Sequence, residues 1–235
     1  MTATDFEIAF PPPKNFQPLP DRGLMVAAGF DFNLLRRSGP GAPAGDSALI
    51  GGLGRLLTWP DSFLAGPVLG APMAVMALET LLRRGAREII FVGLAGSLSP
   101  EFQPGDLLCP AEGISTEGCS AHYPAPMRPD EAWRDSFLRL AGDRVRSAPI
   151  WSTDGIYRET ASLVEDQKKK GALLVDMECT ALWAAAAFRG VRLFSLLVVS
   201  DVLEGLEHHS GFHLPQFKDG LKEAAELAWR ALAEI

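Results

Sequence analysis

The chain is poor in the features that would mark a nucleic-acid binder, a disulfide scaffold or a membrane-spanning protein. Its 235 residues carry a formal charge of −7, and acidic and basic side chains alternate along it with no basic stripe. A footprint for DNA or RNA, or for another polyanionic partner, is therefore not expected. Cysteine is scarce: Cys109, Cys119 and Cys179 are odd in number and far apart. That pattern suits free thiols in a reducing compartment, the cytoplasm, better than a disulfide framework. No run of about 18 apolar residues is long enough to cross a bilayer, and no basic start leads into an apolar core. A soluble, unexported protein is the expectation. Internal repeats and low-complexity tracts are also missing.

What is present is apolar content, 47% of the residues, enough for one large domain with a full core. A single domain over 1–235 is expected. Its first 20 residues differ in kind: "AFPPPKNFQPLP" holds five prolines and reads as an extended arm. "SGPGAPAGD", Ser38 to Asp46, reads as a surface loop.

Elsewhere two patterns alternate. Leu24 to Gly29, Glu88 to Gly96, Asp106 to Gly113, Ala148 to Thr153 and Arg192 to Asp201 are near-continuous apolar runs, the mark of strands buried on both faces. Ala71 to Arg84, Pro129 to Ala141, Thr160 to Lys170, Met177 to Phe188 and Pro215 to Ala233 read as helices. The fold class expected is α/β, a central sheet flanked by helices, with ligands bound beyond the carboxyl ends of strands.

Three of those ends carry suggestive residues. Gly93 and Gly96 permit close approach to the backbone, and the N–H groups of Gly96 and Ser97 could face an anion; a simple tight turn explains the glycines equally well. Asp201 closes an apolar run, a placement that suits a general acid as well as a cap. In "VDMECTALWAAAAF" a helix beginning near Met177 would put Glu178 on one face with Ala181, Leu182 and Ala185. A carboxylate facing a core must find donors, and a sugar diol supplies two with suitable spacing. Asp176, at the junction, is expected to cap the helix.

Together, in order, "GPVLGAPMAVMALETLLRRGAREIIFVGLAGSL", "GDLLCPAEGISTEGCSAHY", "STDGIYRET" and "VDMECTALWAAAAFRGVRLFSLLVVSD" resemble the purine nucleoside phosphorylase and uridine phosphorylase superfamily, from about Gly66 onward. The second and third segments look most like its uridine phosphorylase-like branch. The resemblance implies a mixed, partly barrel-like sheet and a pentosyltransferase that splits a ribonucleoside with phosphate into free base and ribose 1-phosphate. It assigns Met177 and Glu178 to the ribose and Asp201 to protonation of a leaving purine. Ile156 and Tyr157 match its base-stacking position, with Arg158 or Glu159 reaching the base edge. It implies inorganic phosphate as co-substrate, no other cofactor and no metal. It further implies a role in nucleoside salvage and a homo-oligomer, dimer-based or hexameric, with sites near subunit contacts.

Two departures stand out. Phosphorolytic members place an Arg before "G-x-x-G" and a Ser or Thr within it, where this chain has Phe91, Val92, Leu94 and Ala95. The usual Gly-Asp-Pro phosphate loop is also replaced, although "GGLGR" ends in a cation, Arg55. A phosphate dianion needs charge-assisted donors, so Arg22, Arg36, Arg37 or Arg55 must join Gly96 and Ser97; Arg55 is the first choice. Two other readings follow from the same departures: phosphate-independent nucleoside hydrolysis, and nucleoside binding without catalysis.

The remaining motifs receive milder expectations. "EGCSAHY", with Glu117, His122 and Tyr123, reads as a surface loop that the resemblance places near the site. "VLEGLEHHSGFH" reads as a flexible loop closing over the ligand. His209 and His213 are not expected to bind metal, because Gly211 disfavours one continuous helix face. Cys119 and Cys179 read as small buried hydrophobes.

Overall fold

The computed structural model describes residues 17–205 and 207–235. The proline-rich arm falls outside them up to residue 16. Its last residues lie along the chain that follows the first long helix, where Leu19 N–H donates to Arg84 O at 2.7 Å.

The described residues run β1 (Arg22–Ala27), α1 (Phe32–Ser38), β2 (Gly45–Ile50), β3 (Leu53–Thr58), β4 (Phe63–Val68), α2 (Gly70–Arg83), β5 (Glu88–Ser97), β6 (Leu107–Leu108) and β7 (Gly113–Ser115). They continue with α3 (Glu131–Ala141), β8 (Val145–Arg146), β9 (Ile150–Ser152), α4 (Ala161–Lys169), β10 (Leu174–Asp176), α5 (Cys179–Arg189), β11 (Arg192–Glu204), β12 (Glu207–Ser210) and α6 (Pro215–Glu234). One mixed sheet results, with helices on both faces. Its main path is β2-β3-β4-β1-β5-β10-β9-β7, and β11 pairs with β5, β6 and β12.

The core follows from the apolar runs. β5 and β11 pair in parallel from Arg192↔Glu88 to Val202↔Ser97, and almost every residue of β5 is buried. Met25, Phe91, Leu197 and Val199 pack beneath α2 and α5 on one face. Leu24, Ile90, Phe194 and Leu196 pack against α3 and α6 on the other. Two-faced burial of this kind explains why these strands read as unbroken apolar runs. Helix α5 is buried from Cys179 to Ala186, so its small residues let it sit close to the sheet.

Four expectations need correction. The strand expected over Asp106 to Gly113 splits into β6 and β7, because Pro110 has no N–H for a ladder. The loop from Ser38 gives way to strand at Gly45, which pairs with Thr58. The segment after Asp201 is a β-hairpin: β11 continues to Glu204, Gly205 turns at φ +61°, and β12 returns with His208 opposite Leu203. Helix α5 starts at Cys179, two residues later than expected.

Candidate active site

The late start of α5 is set by Asp176. Its Oδ2 accepts the N–H groups of Cys179 at 2.8 Å and Glu178 at 3.2 Å, while Ser152 Oγ donates to Oδ1 at 2.5 Å. Asp176 thus does the capping work that its position suggested. Burial pushes its carboxyl pKa up, against these hydrogen bonds.

Glu178 is left at the helix boundary and turns away from its own helix. It is only 5% exposed, and its Oε1 accepts the N–H of Gly70 at 2.6 Å. That N–H opens α2, so the positive end of a 14-residue helix meets the carboxyl group. Burial first, and the neighbouring Asp176 second, push the Glu178 pKa up to about 8. Gly70 has φ +75°, a conformation that favours glycine, and a side chain added there would touch Met177 Cε at 4.0 Å. Glu178 is therefore buried as expected, but through contact with α2 and not by sharing a face with Ala181, Leu182 and Ala185.

Gly96 and Ser97 are not in a turn. They form the end of β5, between Val175 and Leu174 of β10 on one side and Asp201 and Val202 of β11 on the other. Ser97 is fully buried and its hydroxyl donates to Ser99 O at 2.6 Å. Strand β1 leaves the same edge of β5 at Val92, so Gly93 to Ala95 is the stretch that lies between β1 and β10 with neither as partner. Beside it is the turn after β1, where a side chain on Gly29 would stand 3.0 Å from Leu94 Cδ1.

Gly96 has a different use. A side chain there would stand 2.9 Å from Asp201 Oδ2 and 3.0 Å from Val175 Cγ1, so glycine clears the space that Asp201 occupies. The register of β11 on β5 shifts between Val199 and Asp201, an irregularity beside which Asp201 is aimed over Gly96. Ser200 Oγ donates to Asp201 Oδ1 at 2.5 Å, and His208 Nε2 lies 3.0 Å from Oδ2.

Glu159 is the residue whose weight the sequence understated. Burial first, then the charge of Asp201, raise its pKa to about 6, and His208 works in the opposite direction. Glu159 follows the single 3-10 turn of Ile156–Arg158. The side chains ahead of it point outward: Tyr157 is 97% exposed and Ile156 56% exposed. Arg158 is exposed as well. Glu159, Asp201 and His208 thus gather beside the end of β5, and Met177, Glu178 and Gly70 gather where the start of α5 meets the start of α2. His208 was hidden because every residue of β12 is exposed, which leaves no apolar alternation to mark a strand.

Arg55 lies on β3 opposite Gly66, with β4 and β1 between it and β5 along the sheet. Its guanidinium donates to Asp46 Oδ2 at 2.6 Å and stands over the Phe32 ring. Phe91 is fully buried in the core beneath α2 and α5. Glu117 anchors its own loop: it accepts from Ser115 Oγ at 2.8 Å and from Thr180 Oγ1 at 3.1 Å, and hydrogen bonds to Ser120 and others hold its pKa down against burial. Tyr123 donates to Glu79. Cys179 is buried and donates to Ser195 Oγ, and Cys119 is half-buried.

A cavity of about 770 Å³ is rimmed by Trp59 and Trp229 and includes Arg22 and Ser62. Those last two stand at the amino ends of β1 and β4, opposite the carboxyl ends beyond which open α/β sheets bind ligands. Among the described residues no group of three or more His, Cys, Asp or Glu gathers as a metal cage, and no helix is long and apolar enough to cross a membrane.

Known proteins share this arrangement of elements. A guanosine phosphorylase from Halorubrum lacusprofundi is 25% identical over 185 residues, 74% of this chain and 77% of the relative. A uridine phosphorylase from Vibrio fischeri ES114 superposes with a TM-score of 0.73 at 21% identity, covering 92% of this chain and 93% of that one. A purine nucleoside phosphorylase from Toxoplasma gondii, in complex with immucillin-H, gives 0.76 at 17% identity over 92% and 91%. The family model described as the phosphorylase superfamily matches residues 21–235, and the chain belongs to that family.

Proposed function

We propose that the protein cleaves the N-glycosidic bond of a purine ribonucleoside by phosphorolysis, releasing the base and ribose 1-phosphate. The observation that carries this reading is a pair of carboxyl groups placed near the carboxyl ends of β10 and β5: Glu178 against Gly70, and Asp201 over Gly96. Glu178 keeps Gly70 on one oxygen and takes the ribose diol on the other, with Met177 against the sugar. An ionised carboxylate is the form that accepts both hydroxyls, so binding of the sugar releases the proton that burial holds on Glu178.

Asp201 stands where the base leaves. A purine departs with an electron pair that needs a proton at its imidazole nitrogen, and a positioned carboxyl group delivers one as the bond breaks. Glu159 edges the base from the other side, and Ile156, Tyr157 and Arg158 form the exposed wall of the base end. The likeness to a guanosine phosphorylase supports a purine.

Phosphate is the attacking group, and Arg55 is the cation assigned to it. The Arg55–Asp46 pair is half-exposed, so exchanging Asp46 for phosphate costs little. The unpaired edge at Gly93 to Ala95, beside Gly96 and Ser97, supplies the backbone. Exposed Leu53, Leu69 and Met76 support self-association, dimer-based or hexameric, and a neighbouring subunit is a second source of cations.

One observation favours a second reading. Phe91 is committed to the core and Leu94 lies against the Gly29 turn, where the family's phosphate ligands are expected. Water in place of phosphate would then release free ribose. Substrate class is tested by turnover of a panel of purine and pyrimidine ribonucleosides. Preference for purines is the expected result, and preference for uridine would overturn the assignment of Asp201.

A further inference from the structure

Asp201 has an unsolved proton problem. Ser200 Oγ donates to one of its oxygens at 2.5 Å, and His208 Nε2 stands 3.0 Å from the other. With the hydrogen on Nε2, as in the imidazolium, both Asp201 oxygens accept and the carboxylate has no hydrogen of its own to give. Protonation of a departing base through Asp201 therefore needs a supplier.

We propose that His208 is that supplier: a relay residue on β12 whose Nε2 proton passes to Asp201 Oδ2 and from there to the leaving base. The inference rests on the proposed nucleoside cleavage and extends it. The balance is simple. The proton of the His208 imidazolium moves to Oδ2 and makes Asp201 a carboxylic acid; the C1′–N bond then breaks with its electron pair going to the base, and the base nitrogen takes that proton from Oδ2. Neutral imidazole and carboxylate remain, and solvent reloads His208, whose ring is exposed on its far side.

Carboxyl groups stand beside the ring. Imidazole is the side chain that gains and loses a proton near neutral pH. Asp201 faces it from β11, and Glu159 faces the same pair from the segment before α4. Glu207 and His209, the neighbours of His208 on β12, alternate to the other side of the strand and pair at 3.7 Å. The hairpin register fixes the geometry, since Leu203↔His208 and Asp201↔Ser210 put His208 within one pleat of Asp201.

The test compares two nucleosides in His208→Gln and His208→Ala. Inosine needs a proton to release its base, whereas 7-methylguanosine carries a cationic base that leaves without one. Glutamine retains a donor to Asp201 but carries no transferable proton. Expected is a fall in kcat for inosine on the order of tenfold or more in both variants, loss of the alkaline limb of its pH profile, and 7-methylguanosine turnover within about twofold of wild type. Equal losses on both nucleosides, or full activity of His208→Gln on inosine, overturn the relay while leaving nucleoside cleavage intact. Wild-type protein that splits neither nucleoside overturns the cleavage reading and the relay with it.

Discussion

The Glu178 carboxyl group accepts the Gly70 N–H at 2.6 Å across 108 residues of sequence. This bond joins the start of α2 to the start of α5 and fixes the acid proposed to meet the sugar. If Glu178 holds the ribose diol, Glu178→Gln lowers kcat/KM for every ribonucleoside by roughly ten- to a hundredfold, the loss of a charge-assisted hydrogen bond of about 1.5–3 kcal/mol. Steady-state kinetics on ribonucleosides and their 2′,3′-dideoxy analogues checks this. A variant that discriminates between the two as well as wild type does would remove Glu178 from sugar recognition.

Folding stability carries a pH signature of the same group. The Glu178 pKa stands at about 8 in the fold, above the ordinary carboxylate range. Between those values the folded state holds a proton that the unfolded chain has lost, so stability falls as pH rises. The slope from this one group reaches at most about 1.4 kcal/mol per pH unit. Denaturant melts of Glu178→Gln from pH 5 to 8 should show a shallower decline than wild type; parallel curves would contradict the assignment.

Gly96 is predicted to be intolerant for a local reason. Adding one methyl group forces Asp201 Oδ2 away from a 2.9 Å approach. Gly96→Ala should lower kcat on purine nucleosides by about tenfold or more with cooperative unfolding retained. Unchanged kcat would show that the position of Asp201 over Gly96 is unimportant.

Asp201→Asn keeps the shape and removes the transferable proton. On purine nucleosides kcat should fall by about a hundredfold or more, with pyrimidine nucleosides, if any are accepted, affected less. Equal purine activity in the variant would end the acid role.

Much of this was legible in the chain, and what was hidden has physical causes. Strands β5 and β11 announce themselves because both faces are buried, and α2 and α6 because their apolar positions recur with helical period. The β2–β3 hairpin escaped because β2 exposes half of its residues and buries only Leu49. β12 escaped for the same reason, and His208 with it. The acids at 176 and 178 were visible as a pair, and the cap at Asp176 followed from local rules. The partner of Glu178 did not, because Gly70 reaches it only through the tertiary fold. Gly96 was noticed for its freedom, but its use is steric, a clearance for a side chain on the adjacent strand.

The central claim is that phosphate attacks a nucleoside held between Glu178 and Asp201. It is tested most directly by incubating the protein with a purine ribonucleoside, with and without inorganic phosphate, and identifying the sugar product. The account predicts base release only with phosphate, with ribose 1-phosphate formed in equal amount. Base release at the same rate without phosphate, with free ribose as the product, would contradict it.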